Sequence, residues 1–122
     1  MSINLTSLDL TRPTRDVDIV DKHGESIGLT FTVVPQESDQ YQRAFRVAQD
    51  KFASGKKLSA KARREINDNL LMARVSGWKW SGKALENNGG EQPEFNKPQL
   101  KSVLFEQGES SAAIRLQLSE AI

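Results

Sequence analysis

The sequence predicts an α+β domain: an N-terminal β-hairpin or small antiparallel sheet followed by about four helices. Two observations carry this. Apolar residues recur with a period of two between residues 16 and 34, and the period changes to 3.6 beyond Pro35. Side chains that cap helices then precede the first three of the later apolar stripes, and Gly or Pro punctuates the stretches between them.

Residues 1–15, "MSINLTSLDLTRPTR", show neither period and are expected to form a flexible arm, leaving residues 16–122 as one α+β domain. "DVDIVD" places Val17 and Ile19 on one face of a first strand. "KHGE" is the turn, with Gly24 free to take positive φ. "SIGLTFTVVP" alternates Ile27, Leu29, Phe31 and Val33 and stops at Pro35. Two alternating runs joined by a Gly-containing turn are a hairpin signal, and the β-branched and aromatic content of the second run strengthens it.

Ser38 or Asp39 can accept the unpaired amide protons of a first helical turn. Tyr41, Ala44, Phe45, Ala48 and Phe52 follow at helical spacing, which predicts a helix over 39–54 with Gly55 as its stop. Ser59 caps a second helix, predicted over 59–77, whose stripe is Ala62, Ile66, Leu70, Ala73 and Gly77. Leu71, Met72 and Val75 widen it toward the C-terminal end. "SGKALENNGGEQPEF" is polar and rich in Gly and Asn, so it reads as a loop. Asn96 is the next cap, Pro98 is tolerated in a first turn, and Leu100, Val103 and Leu104 give a helix over 97–106 an apolar edge. A last helix over 111–121 carries Ile114, Leu118 and Ile122 on one face.

Composition limits the chemistry. A chain of 122 residues is expected to form one domain with a modest core. It contains no cysteine, which removes disulfides and thiolate metal sites, and His23 is its only histidine. No apolar run approaches the ~18 residues of a membrane span, and the N-terminus lacks the apolar core of a signal peptide, so a cytosolic protein without membrane partners is expected. The net charge of +1 hides an asymmetry. Residues 43–83 carry eleven Lys/Arg against Asp50, Glu65 and Asp68, whereas the flanks carry six basic and thirteen acidic residues. A basic middle attracts nucleic acid, an acidic partner, or the acidic flanks of another copy.

Gly77-x-x-x-x-Gly82-Lys83 resembles a phosphate-binding P-loop one residue short. The predicted order is helix then loop, the reverse of what a P-loop needs, and Ala84 stands where a hydroxyl should meet Mg²⁺. No nucleotide or other cofactor is expected. Trp78 is expected to close one end of the core, with Trp80 the more exposed; on a continued helix they point about 200° apart, on an extended segment to the same side. A stacking platform for single-stranded nucleic acid would need more aromatics on one exposed face, and Tyr41, Phe45 and Phe52 belong to a helix stripe instead. "GKKLSAKARRE" fits a solvated helix face or a docking surface for an acidic helix. His23 belongs in a turn. The acidic residues are scattered singly, with no pair arranged for acid–base work, so no enzyme is expected and catalytic, cofactor and metal residues are all expected to be absent.

The order of features then resembles the tail assembly chaperones of long-tailed bacteriophages. In that family a helix ends in an apolar stretch and a Trp, a Gly-containing loop leads to a Pro/Phe/Asn-led segment, and an apolar L-x-x-L-L type helix follows. Here the matching residues are Val75-Ser76-Gly77-Trp78-Lys79, then Phe95-Asn96-Lys97, then Leu100 to Leu104, and the likeness spans roughly residues 27–121. It implies a non-enzymatic, ATP-independent factor of the host cytoplasm. Such a factor coats the helical tape measure protein, helps recruit tail tube protein, and is absent from the mature virion. Self-association is expected to be weak, with Arg63, Arg64 and Lys79 on the basic side of a contact and Glu91, Glu94, Glu106 or Glu109 on the acidic side, and Trp80 is expected among the partner-binding residues. The alternatives are a small nucleic-acid-binding protein that uses the basic middle, or a structural tail component.

Overall fold

The structure, a computed structural model, describes residues 3, 13–55 and 57–122. Most of the arm expected over 1–15 lies outside them. The described chain is α+β, with a three-stranded antiparallel sheet and five helices.

Strand β1 (Arg15–Val20) pairs with β2 (Ser26–Val33) as the period-two pattern predicts. The turn between them is organised by Asp21. Its carboxylate accepts the amide protons of His23 (2.8 Å) and Glu25 (3.1 Å), and Gly24 takes φ +79°. These bonds, that to Glu25 first and that to His23 second, hold the Asp21 pKa below its ordinary 3.8. A lowered pKa means that the turn is fully braced above that value and loosens as pH falls through the folded-state pKa. The amide resonances of His23 and Glu25 should therefore titrate together with a midpoint below 3.8; a midpoint at or above it would contradict this bracing.

The sequence reading fails next to Met72. Helix α1 (Asp39–Ala53) and helix α2 (Ala60–Met72) form as predicted, capped by Ser38 and Ser59. The second helix was expected to run to Gly77, but Ala73 and Arg74 close it and residues Val75–Trp80 form β3, antiparallel to β2. The cause is a bulge. Thr32 faces Gly77 while its neighbour Val33 faces Val75, so Ser76 is an extra residue on β3. Val75 and Trp78 therefore share a face although they are three apart, which on paper looks like a helical turn.

The loop expected after Trp80 also contains a short helix, α3 (Gly82–Asn87), packed on β2. It is reached in one residue: Ser81 donates its amide proton to the Gly28 carbonyl at 2.7 Å. Helices α4 (Lys97–Phe105) and α5 (Glu109–Ala121) complete the fold near their predicted bounds, and Asn96 caps α4. Ser111, fully buried, ties them together by accepting from the Gln107 amide and donating to the Val103 carbonyl.

One face of the sheet supplies the core. Ile19, Leu29, Phe31, Val33, Val75 and Trp78 pack with Leu100, Leu104, Ile114 and Leu118, and Met72 joins them from α2. Ile122, expected on the same stripe, is exposed at the end of the chain. Polar residues occupy the other face, where Asp16 and Asp18 accept hydrogen bonds from Thr32 and from Ser26 and Thr30. Three glutamines finish the outer strands. Gln117 both donates to the Val20 carbonyl and accepts its amide proton at 2.9 Å, Gln40 donates to the Val75 carbonyl at 2.7 Å, and Gln92 accepts the Trp80 amide proton at 3.0 Å.

Candidate partner-binding surface

Helix α1 is amphipathic, yet Ala48 is its only buried residue. It packs chiefly on α2 and projects the remainder of its apolar surface outward on two flanks. On one, Phe45 is 39% and Phe52 53% exposed, and Tyr41 stacks on Phe45 with ring centroids 6.1 Å apart. Arg74 lies over the Tyr41 ring at 5.3 Å while its Nε donates to the Val34 carbonyl, which fixes that ring against the sheet end. The other flank presents Val47, 55% exposed, to a groove of about 360 Å³. Met72, Val75, Phe95 and Leu100 line this groove, with Asn69, Asn96 and Lys97 also on its wall. A second hollow continues past Val47 toward Leu58, lined also by Asp50 and Lys51. Much of the apolar surface of α1 is thus left uncovered by the other described elements. Its setting is basic: residues 39–72 carry eight Lys/Arg against Asp39, Asp50, Glu65 and Asp68.

The residues singled out from sequence are scattered over this architecture. Arg63 and Arg64 are exposed on α2, within the α1–α2 limb. Lys79 is exposed on β3 opposite Thr30, on the polar face of the sheet. Trp80, its neighbour, turns to the core side and is half-buried, because successive strand residues alternate. Lys79 and Trp80 therefore do not share a surface. Glu91 and Glu94 are exposed between α3 and α4, Glu106 at the end of α4, and Glu109 at the start of α5.

The tryptophans follow the extended alternative. Trp78, 8% exposed, meets Phe31, Trp80 and Phe95 edge-on, and its Nε1 donates to the Pro93 carbonyl at 3.0 Å. Trp80 is the more exposed, as expected. Its indole Nε1 is a buried donor without an acceptor among the described residues.

Contrary to the predicted order of helix then loop, a strand leads into Gly82-Lys83 and a helix follows, which is the order of a P-loop. The geometry is nevertheless not that of a phosphate cradle. Gly77 is paired with Thr32 inside β3, and the connection to α3 is the single residue Ser81, so there is no run of free amides to surround an anion. Among the described residues no group of three His, Cys, Asp or Glu could hold a metal ion, and no helix is long and apolar enough to cross a membrane.

Sequence reasoning missed Val47 and Phe95 as surface features. The one available signal was that Val47 falls outside the α1 stripe expected to face the core, and a lone exposed valine is ordinary. Comparison of the chain with protein-family models, with curated proteins and with solved structures finds no match.

Proposed function

We propose that this chain is a non-enzymatic assembly chaperone of a long-tailed bacteriophage. In this reading it acts in the host cytoplasm, coats the helical tape measure protein, cedes its place to tail tube protein, and is absent from the finished particle. The observation that carries the reading is the uncovered apolar surface of α1 on a basic limb. A 15-residue helix that buries one residue gains little from its own domain and is suited to cover something else. A tape measure helix has the complementary need, since its apolar stripe aggregates if left bare. Weak contacts repeated along such a rod gain strength by avidity and can be displaced one at a time. Weak association between copies accompanies the coating, with exposed ion pairs such as those open to Arg63 and Arg64 each contributing about 1 kcal/mol or less.

Light scattering of a tape measure fragment tests the reading. The chain, in excess and without ATP, should suppress aggregation of the fragment and co-sediment with it, and the complex should largely survive added salt. Unchanged aggregation with no co-sedimentation would remove the chaperone reading. Binding to nucleic acid that collapses steeply as salt rises would favour the phosphate-contacting alternative.

A further inference from the structure

We propose that the pocket formed by β2, β3, α3, α4 and α5 binds a neutral saccharide ring, with Trp80 Nε1 donating to one of its oxygens. The inference is independent of the chaperone reading and uses none of the surface of α1.

Three observations carry it. The pocket, of about 360 Å³, has an aliphatic wall made by Leu29, Val103 and Ile114, with the half-buried Trp80 among the residues around it. That volume admits a sugar ring and lies in the range of small-molecule sites. Next, none of the thirteen lining residues is ionisable, although 27% of the chain is charged. The residues directly beside them in sequence include four basic and four acidic ones, so no prevailing sign replaces the missing charge. A charged ligand would lose hydration there without gaining a counter-ion. Finally, the polar groups on the wall can both donate and accept. Asn87, Gln99 and Ser110 line the pocket with side chains that have no hydrogen-bond partner among the described residues, and amides and hydroxyls offer both functions, as sugar hydroxyls require. Trp80 adds the donor with the greatest need. Its buried Nε1–H has no acceptor among the described residues, while its backbone amide is held by Gln92 at 3.0 Å. A saccharide meets these conditions together, since it has an apolar C–H face for the aliphatic wall and a neutral rim of hydroxyls. Nε1 is shielded from solvent, so the oxygen that reaches it displaces neighbouring side chains slightly and forms a bond that water contests little.

The experiment uses the full chain, whose two tryptophans give two indole N–H resonances. Titration with glucose and with N-acetylglucosamine, followed by NMR, should move the Trp80 indole resonance and the side-chain amides of Asn87 and Gln99. The Trp78 resonance should move less, because that N–H is already bonded to the Pro93 carbonyl. Affinity should be weak, with a Kd of about 1–10 mM for so small a ligand. Glucuronate and glucosamine, the charged counterparts, should bind about fivefold more weakly or less. Trp80→Phe keeps an aromatic ring and removes the N–H, and should weaken binding by about three- to tenfold. Gln99→Ala, at an exposed position, should weaken it by a smaller factor, and Phe45→Asp on α1 should leave it unchanged. Maltotriose distinguishes the sources: tighter binding than glucose identifies the end of a glycan chain, and equal binding identifies the free sugar. No shift with either neutral sugar at about 50 mM, well above the expected Kd, would assign the Trp80 N–H to ordered water and overturn the proposal. Equal binding of charged and neutral sugars, or an affinity unchanged by Trp80→Phe, would overturn it as well.

Discussion

Gly28→Ala should be the most damaging single-methyl substitution in the chain. Gly28 lies inside β2 at φ +87°, and a Cβ there would overlap the carbonyl oxygen of Ser81. The obstacle is backbone, so no side-chain rotation relieves it. The left-handed conformation alone costs an L-residue about 1–2 kcal/mol. The junction between β3 and α3 must also move, which breaks the bond from the Ser81 amide to the Gly28 carbonyl and lifts α3 from β2. A loss of about 3 kcal/mol or more is expected, which is large against the ~5–15 kcal/mol total of a small domain. Gly24 supplies the control. It has a similar φ of +79° with nothing within 4 Å of the added methyl, so Gly24→Ala should cost only the conformational part. Urea unfolding of the two variants checks this; equal midpoints would mean that the contact with Ser81 carries no weight.

Trp78→Ala should cost about 3–5 kcal/mol, as expected for an indole removed from a packed core. The ring centroids of Phe95, Trp80 and Phe31 lie 5.2, 5.6 and 6.3 Å away, all edge-on, so truncation leaves three rings facing a void. It also strips the Pro93 carbonyl of its donor. Trp78→Phe should recover most of the packing and lose about 1 kcal/mol from the missing hydrogen bond. Because Phe95 is both a neighbour of Trp78 and a wall of the groove, Trp78→Ala should also weaken binding of a tape measure fragment under conditions where the variant is still folded. An unfolding midpoint equal to that of the wild type would refute the assignment of Trp78 to the core.

The elements that were legible in the sequence are those in which one local rule acted alone. Ile27, Leu29, Phe31 and Val33 alternate without interruption, and Ser38, Ser59 and Asn96 each hydrogen-bond the first turn that they were expected to cap. β3 was hidden because the bulge at Ser76 replaces a spacing of two by a spacing of three. α3 was hidden because six residues with no capping side chain, framed by Gly and Asn, have the composition of a loop and are held by packing on β2. The site divides in the same way. The basic surface of the limb could be counted from the sequence, whereas the groove is assembled from Val47, Met72, Phe95 and Leu100, which no local pattern connects. The exposure of Phe45 and Phe52 reverses an expectation. Helical spacing identifies which residues share a face, and it does not tell whether the same chain covers that face.

The glutamines at 40, 92 and 117 have a consequence for how this sequence can drift. Surface side chains are ordinarily the freest to change, and by exposure alone Gln40 and Gln92 belong among them. Gln117, however, must give a proton to Val20 and take one from it, which a carboxylate, an ammonium or an alkyl group cannot do. Asparagine has the right amide but reaches one methylene less far. Gln40 must donate and Gln92 must accept, each to a strand backbone atom whose position the sheet dictates. These three sites should therefore vary less than the charged residues around them. In descendants too divergent to align, long amides standing at the rims of a three-stranded sheet would mark common ancestry where the core, free to exchange one aliphatic residue for another, would not.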